Sequence, residues 1–393
     1  MIDFNYYTPT EVVFGKNSEQ QIAALVKKYG GKKLLLHYGG KSAERSGLLD
    51  VVRQQLKEAG IPFVELGGVV PNPLLSKVRE GIALCQQEGV DFLLAVGGGS
   101  VIDSCKAIAY GLAYKGDVWD LFVGKAEPQA AYPVGCVLTI PAAGSEMSTG
   151  CVITNEEGAL KRSCDGNLGR CRFAVMNPER TFTLPPFQTA CGITDMMMHT
   201  LERYFSKEDD MTLTDNVAEA ILRTVKELAP VVLQNPTDYR SRAQIMWAGS
   251  LAHNDLTGCG MSGDWSTHQL EHELSGMFGV AHGAGLAAVW PSWARYVCPT
   301  NVSRFVRLAV NVMGVVNDFT DPEGTALRGI AAMEQFFHSI GMPVSIHELI
   351  GREIKDEEIV EMARKCSNNG SSCIGGFKTL NQDDMEKIYR MAK

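Results

Sequence analysis

The feature that most constrains the fold is an alternation, in the first half of the chain, of short apolar runs with longer amphipathic segments. The apolar runs lie at 33–38, 62–66, 91–96 and 135–140, and the amphipathic segments at 42–59, 74–88 and 101–113. Strands separated by helices of this length predict a parallel sheet covered by helices on both faces. From Gln188 onward the pattern changes to one helix after another, with a period of about 3.6.

This change of pattern predicts two domains. A chain of 393 residues exceeds the size at which a single hydrophobic core keeps growing. The boundary is expected near Leu184, where Leu184-Pro185-Pro186 interrupts the alternation. We therefore expect an α/β domain over 1–184 and an all-helical domain over 185–393.

Composition and charge exclude several classes of protein. The formal net charge of -8 argues against a nucleic-acid partner, because phosphates require a basic surface. The first ten residues lack the basic and apolar regions of a secretory signal. No stretch approaches the ~18 unbroken apolar residues that span a bilayer. The 11 cysteines contain no CxxC pair, which favours reduced thiols in the cytoplasm.

A glycine-rich turn follows the third apolar run. Gly97-Gly98-Gly99-Ser100 lies between a predicted strand and a predicted helix. Glycine lets the backbone approach a pyrophosphate, and the first N–H groups of the helix favour its negative charge. The order GGGSxxD differs from the common dinucleotide fingerprint GxGxxG, and a tight turn required only for packing is the alternative.

The end of the first strand bears on the choice of cofactor. Cofactors without a 2′-phosphate are usually held there by an acid that binds the ribose hydroxyls. Here the sequence is Tyr38-Gly39-Gly40-Lys41-Ser42, which has a cation and no acid. This composition favours NADP(H), although the residues could also form a simple turn.

A cluster of aspartate and histidine residues in the helical half predicts a metal site. Asp195 and His199 are four residues apart on a predicted helix, as are His268 and His272, and His282 follows. A spacing of four places both members of a pair on one helix face, where they can bind one ion. Carboxylate and imidazole ligands suit Fe²⁺, Zn²⁺, Mn²⁺ or Ni²⁺. The spacing leaves open which three or four of these side chains bind, and which ion.

Taken in order, these segments resemble the iron-containing alcohol dehydrogenases, and within them the NADPH-dependent butanol dehydrogenase and aldehyde reductase branch. The likeness extends over essentially the whole chain, through Pro71–Pro73, Gly97–Asp103, Gly144–Ser148, Gly192–Glu202 and Asp264–Gly283. One departure is Pro141-Ala142-Ala143, where many relatives have threonines. It argues against hydroxyl contacts to the pyrophosphate at the two alanines.

The resemblance implies a Rossmann-like dinucleotide-binding domain (1–184), a helical metal-binding and substrate domain (185–393) and a cleft between them, as in the dehydroquinate synthase-like fold. It implies four metal ligands, Asp195, His199, His268 and His282. His272 then becomes a proton relay near the nicotinamide. The implied cofactor contacts are Gly98, Gly99, Ser100, Asp103, Thr139, Ser148 and Lys161, and the implied 2′-phosphate contacts are Gly39, Gly40 and Ser42, with Lys41 in addition.

The implied activity is reversible hydride transfer between NADP(H) and a primary alcohol or aldehyde, such as butanol and butyraldehyde. The cofactors expected are NADP(H) and a divalent metal, Fe²⁺ first and Zn²⁺ as the alternative, in a homodimer or larger homo-oligomer. Two alternatives are a polyol dehydrogenase of the glycerol or diol type and a dehydroquinate-synthase-like cyclising lyase. The lyase would need basic residues beside the metal for a phosphorylated substrate, and the segments 195–201 and 268–290 contain none.

Overall fold

A computed structural model describes residues 1–40 and 42–393 of the chain. These residues form two compact units. The first, here called the sheet unit, comprises Tyr7–Leu184 and Pro236–Asn254. The second, the helical unit, comprises Met1–Tyr6, Pro185–Asn235 and Asp255–Lys393.

The sheet unit is built on a six-stranded parallel sheet. The described part of this unit has eight strands, six in this sheet and two in a separate pair. They are, in chain order, β1 (Glu11–Phe14), β2 (Leu34–Tyr38), β3 (Phe63–Leu66), β4 (Phe92–Gly97), β5 (Val134–Leu138), β6 (Gly150–Asn155), β7 (Leu160–Asp165) and β8 (Phe173–Met176). The order across the sheet is β1-β8-β5-β4-β2-β3, and every pairing in it is parallel. Strands β6 and β7 form a separate antiparallel pair. The predicted parallel sheet is confirmed.

Both faces of this sheet are buried, which explains its continuous apolar strands. Leu34 and Leu36 of β2 lie in one hydrophobic cluster, whereas Leu35 between them lies in another. Successive side chains of a strand point to opposite faces, so each face must be covered. The helices supply this cover and alternate with the strands along the chain.

The helices account for most of the rest of the described chain. The first eight are α1 (Ile22–Lys28), α2 (Ser42–Arg45), α3 (Leu48–Glu58), α4 (Leu75–Glu88), α5 (Gly99–Ala113), α6 (Trp119–Phe122), α7 (Pro186–Tyr204) and α8 (Thr212–Gln234). The next eight are α9 (Tyr239–His253), α10 (Ser266–Phe278), α11 (His282–Val297), α12 (Val302–Leu308), α13 (Pro322–Ser339), α14 (Ile346–Ile350), α15 (Asp356–Cys366) and α16 (Gln382–Met391). The predicted change to consecutive helices after Gln188 is confirmed.

One local prediction is corrected, and four strands were missed. The segment 42–59 contains two helices rather than one, because Gly47 adopts a left-handed conformation (φ 72°) between them. Strands β1 and β8 and the pair β6–β7 were not predicted. Strands β1, β6 and β7 are partly exposed, and the apolar run of β8 is only four residues long.

The boundary at residue 184 also needs a correction of detail. Helix α9 follows the helical segment α8 in sequence, yet it belongs to the sheet unit. Its Ser250 donates a hydrogen bond to the buried Glu146, and its Trp247 packs edge-on against Phe14 of β1. Helical periodicity shows which face of a helix is buried but not which partner covers it.

One further property concerns membranes. Within 1–40 and 42–393, none of the helices has both the length and the apolar character required to cross a bilayer.

Candidate metal centre and cofactor turn

Helix α7, which carries two of the predicted metal ligands, Asp195 and His199, is buried along most of its length. Every residue from Thr189 to Tyr204 is buried, including three consecutive methionines. Asp195, His199 and Glu202 follow a spacing of four and three, which places them on one face of the helix. Polar and charged groups in such a setting are costly unless partners face them. Their presence therefore indicates a site.

Side chains from three helices converge at Asp195. Its Oδ1 lies 3.8 Å from Nε2 of His268 on α10 and 3.6 Å from Nε2 of His282, the first residue of α11. Ligand atoms of these three residues all lie within 4.8 Å of one another. Ligands bonded to one ion at about 2.0–2.2 Å are separated by about 3–4 Å, so the three residues fit a single divalent ion.

The His268 imidazole supports this assignment independently. Its Nε2 is buried, and among the described residues it has no hydrogen-bond partner. The 3.8 Å to Asp195 is too long for a hydrogen bond. A buried nitrogen in this state is costly in a folded protein, and an ion at the centre of the cluster would satisfy it.

The other two histidines lie beside this centre. His199 Nδ1 is 3.5 Å from Asp195 Oδ1, and its ring stacks on that of His268 with centroids 4.6 Å apart. It is not part of the three-residue cluster, so its role as a fourth ligand stays a prediction. His272 is half-buried one turn beyond His268, and its ring centroid lies 5.9 Å from that of His282. It does not join the cluster either, and its role as a proton relay also stays a prediction.

A glycine allows the helices to approach closely enough for the site to form. A Cβ on Gly283 of α11 would lie 2.2 Å from the backbone oxygen of Cys191 on α7. Cys191 is one turn before Asp195, and Gly283 is adjacent to His282. Any side chain at residue 283 would separate the two helices at the point where their ligands meet.

The pKa values of the two stacked imidazoles are shifted in opposite directions. For His268, burial favours the neutral form, but the carboxylates of Asp195 and Glu202 outweigh it and raise its pKa to about 9. For His199, burial and the neighbouring His268 hold the pKa well below its ordinary value. The carboxylates of Asp195 and Glu202 thus favour a positive charge at His268, which is the electrostatic environment expected of a cation-binding centre.

Two buried glutamates that sequence reasoning did not assign also belong to the site. Glu202 Oε1 accepts a hydrogen bond from His268 Nδ1 at 2.9 Å, and Glu271 accepts one from His282 Nδ1. Both lie within the segments that carry the ligands, Glu202 three residues after His199 and Glu271 three after His268. A glutamate at helical spacing from a metal-binding histidine is the signal that could have found them.

The predicted cofactor turns lie in the sheet unit, at the carboxyl ends of neighbouring strands. Gly39 follows β2, Gly98 follows β4 and Thr139 follows β5, with the Thr139 N–H bonded to Gly97 O at 3.0 Å. The chain leaves β2 toward β3 on one side, whereas β4 and β5 lie on the other. Ligands of open α/β sheets bind at such a switch point, at the carboxyl ends of the strands.

The glycines of the second turn have a packing role as well. A Cβ on Gly99 would lie 2.9 Å from Ala143 Cβ, and one on Gly98 would lie 3.1 Å from Ile140 Cβ. Helix α5 begins at Gly99, and among the described residues no side chain caps its first N–H groups. Close packing therefore explains the glycines, and the helix end remains suited to a phosphate.

Three predicted cofactor residues are engaged inside the sheet unit. Asp103 is half-buried and accepts hydrogen bonds from Ser145 Oγ at 2.5 Å and from Val152 N at 3.0 Å. Ser148 accepts from Lys106 Nζ, and both Ser148 and Lys161 are buried. Their contacts to a cofactor stay predictions. Ser42 and Gly40 are exposed at the end of β2, and Ser100 is half-buried at the start of α5. Lys41 lies outside the described residues.

Two family matches cover almost the whole chain. The iron-containing alcohol dehydrogenase family matches residues 9–178, and the C-terminal domain of the Fe-containing alcohol dehydrogenase family matches residues 189–393. The chain belongs to the iron-containing alcohol dehydrogenase family. The resemblance stated from its motifs is thus confirmed, with the fold class that it implied.

Relatives in this family are similar over their full length. A probable NADH-dependent butanol dehydrogenase 2 from Bacillus subtilis is 43% identical over 99% of both chains. The NADPH-dependent aldehyde reductase YqhD of Escherichia coli is 36% identical over 100% of both chains. The crystal structure of NADH-dependent butanol dehydrogenase A from Thermotoga maritima matches with a TM-score of 0.95 at 36% identity, covering 100% of this chain and 99% of that one.

Proposed function

We propose that this member of the family is a metal-dependent alcohol dehydrogenase and aldehyde reductase that interconverts primary alcohols and aldehydes, such as butanol and butyraldehyde. The observation that carries the proposal is the convergence of Asp195, His268 and His282 from three helices on one point. Relatives named as butanol dehydrogenases and as an aldehyde reductase support the substrate class.

We assign the metal to Asp195, His268 and His282, with His199 as the fourth ligand. Oxygen and nitrogen donors suit Fe²⁺, the metal of the family name, and equally Zn²⁺. When bound, such an ion supplies a Lewis acid for the carbonyl oxygen, and a nicotinamide supplies the hydride. The contribution of the chain is to present its ligands from buried helices that exclude water.

His272 is proposed to move the proton that the reaction requires. It lies on α10 one turn after His268, at the edge of the cluster rather than in it, and it is half-buried. Imidazole is the side chain best suited to exchange a proton near neutral pH. A half-buried position lets it do so with solvent.

We further propose NADP(H) as the preferred cofactor, bound at Gly98, Gly99, Ser100 and Thr139, with Gly39, Gly40 and Ser42 receiving the 2′-phosphate. The sequence of the turn after β2 has no acid that would repel this phosphate, and a Cβ on Gly40 would meet no atom of residues 1–40 and 42–393 within 4 Å. The names of relatives divide between NADH and NADPH. Direct comparison of the two cofactors is therefore part of the test.

The test is a steady-state assay of purified protein loaded separately with Fe²⁺, Mn²⁺ and Zn²⁺. We expect butyraldehyde to cause loss of the NADPH absorbance with at least one ion, and no loss after the metal is removed by a chelator. NADH in parallel reports the cofactor preference. No turnover with any ion and a panel of aldehydes would contradict the proposed function.

The remaining proposals concern surroundings and assembly. The described cysteines are free thiols and mostly buried, which suits the proposed reducing cytoplasm. A homodimer or larger homo-oligomer is proposed from the family resemblance. Size-exclusion chromatography with light scattering distinguishes this from a monomer.

A further inference from the structure

We propose that Glu202 and Glu271 are positioning residues that orient two metal-binding histidines, so that Nε2 of His268 and of His282 faces the ion. This inference rests on the proposed metal site. It assigns to two buried carboxylates a role in the affinity of the site rather than in the fold alone.

Glu202 determines the orientation of His268 from the neighbouring helix. It lies on α7 two turns after Asp195, with its side chain 1% exposed. Its Oε1 accepts hydrogen bonds from both Nδ1 and the backbone N–H of His268, each at 2.9 Å. An ionised carboxylate can only accept, so Nδ1 carries a proton. The lone pair available to a metal is then on Nε2, the atom that faces Asp195.

Glu271 does the same for His282. It is completely buried on α10 and accepts from His282 Nδ1 and from Ser275 Oγ. Helix α11 leaves room for it, because a Cβ on Gly285 would lie 2.8 Å from both Cγ and Oε1 of Glu271. A glycine inside a helix costs stability, and here it admits this carboxylate.

Together these contacts connect the three helices α7, α10 and α11 around the proposed metal site. Glu202 of α7 holds His268 of α10, Glu271 of α10 holds His282 of α11, and both imidazoles turn their Nε2 toward Asp195 of α7. Each histidine is thus fixed at both ring nitrogens once an ion is bound. A site oriented in this way loses little freedom when it takes up the ion.

Charge supports the same interpretation. A buried carboxylate is costly when it only ties helices together, whereas a divalent ion one imidazole away compensates its charge. Glu202 and Glu271 add two such carboxylates to that of Asp195. We therefore expect their removal to affect metal binding more than it affects the stability of the metal-free protein.

The experiment measures Zn²⁺ affinity by competition with a fluorescent chelator, and the melting temperature of the metal-free protein. The variants are Glu202→Gln, Glu202→Leu, Glu271→Gln and Glu271→Leu. Outer carboxylates of this kind contribute about 10–100-fold to metal affinity. Leucine is expected to show the larger loss, and glutamine, which keeps an acceptor for Nδ1–H, a partial rescue.

The matched control is Glu273→Gln on the same helix. Glu273 is as buried as Glu271 but pairs with Lys365 of α15, at 3.7 Å. We expect the Zn²⁺ affinity of Glu273→Gln to stay within about twofold of that of the wild type. Only the loss of a carboxylate that is bonded to a metal-binding histidine should weaken the site. Gly285→Ala gives a second route, since it displaces the Glu271 carboxylate without changing it and should also weaken Zn²⁺ binding.

The outcomes are distinguishable. Weaker Zn²⁺ binding in the Glu202, Glu271 and Gly285 variants, with the control unchanged, supports the inference. Wild-type affinity in all of them overturns it while leaving the proposed function intact. A wild-type protein that binds no Zn²⁺, Fe²⁺ or Mn²⁺ overturns both.

Discussion

The buried His37 should contribute to the pH dependence of the stability of the sheet unit. His37 of β2 is completely buried, with Nδ1 2.7 Å from Leu66 O of β3 and Nε2 2.9 Å from Ser104 Oγ of α5. It therefore ties together the strand and the helix that carry the two proposed cofactor turns. Burial disfavours the charged imidazole and lowers its pKa from 6.5 to about 4.

The sign of the effect follows from proton binding. Below pH 6.5 the unfolded chain takes up a proton at His37 that the folded chain does not. The contribution of His37 to the free energy of unfolding is therefore fully present above pH 6.5 and is lost as the pH falls toward 4. At pH 5 the loss from this one group is about 2 kcal/mol. His37→Asn is expected to keep a donor for Leu66 O and to remove this dependence.

The assay is urea unfolding at pH 7.5 and pH 5, followed by hydrogen exchange in peptides that cover β2. The wild type should lose about 2 kcal/mol more than His37→Asn between these pH values. His347→Asn, in the helical unit and 52% exposed, serves as control and should leave the β2 peptides unchanged. Equal pH dependence of the wild type and His37→Asn would refute the role given to His37.

Three further changes test other parts of the molecule. Gly39→Asp should weaken NADPH binding far more than NADH binding, and equal effects in a fluorescence titration would place the 2′-phosphate elsewhere. Gly283→Ala should destabilise the helical unit by about 1–3 kcal/mol and lower its Zn²⁺ affinity, because α7 and α11 must separate. Arg304→Met should cost about 3 kcal/mol in urea unfolding. Among the described residues, the change leaves Asp215, 1% exposed, with Arg307 at 3.6 Å as its remaining salt-bridge partner, and a loss below about 1 kcal/mol would contradict this.

Most of the fold could be predicted from the sequence, because the strongest local signals in the sequence agree with the tertiary structure. Strands β2, β4 and β5 are buried on both faces, and helix α4 ends at Gly89, which adopts the left-handed conformation of a helix terminus (φ 64°). Strand β8 has only four residues, Phe173–Met176, and an apolar run of this length does not distinguish a strand from a buried helix segment. The placement of α9 depends on distant partners such as Glu146, which no local pattern reveals.

The candidate site was predictable only to the level of residue types. A spacing of four placed Asp195 and His199 on one helix face, but it could not rank the histidines. The structure groups His268 and His282 with Asp195 because Gly283 lets α11 approach α7. Local spacing contains no information about such a distant contact between helices.

The measurement that tests the metal centre most directly is the metal content of three purified proteins: the wild type, His268→Ala and His272→Ala. All three are loaded with Zn²⁺, dialysed and analysed by mass spectrometry of the metal. We expect about one ion per chain in the wild type and in His272→Ala, and little metal in His268→Ala, whose Nε2 faces Asp195. A metal-free His272→Ala protein beside a metal-loaded His268→Ala protein would contradict the assignment.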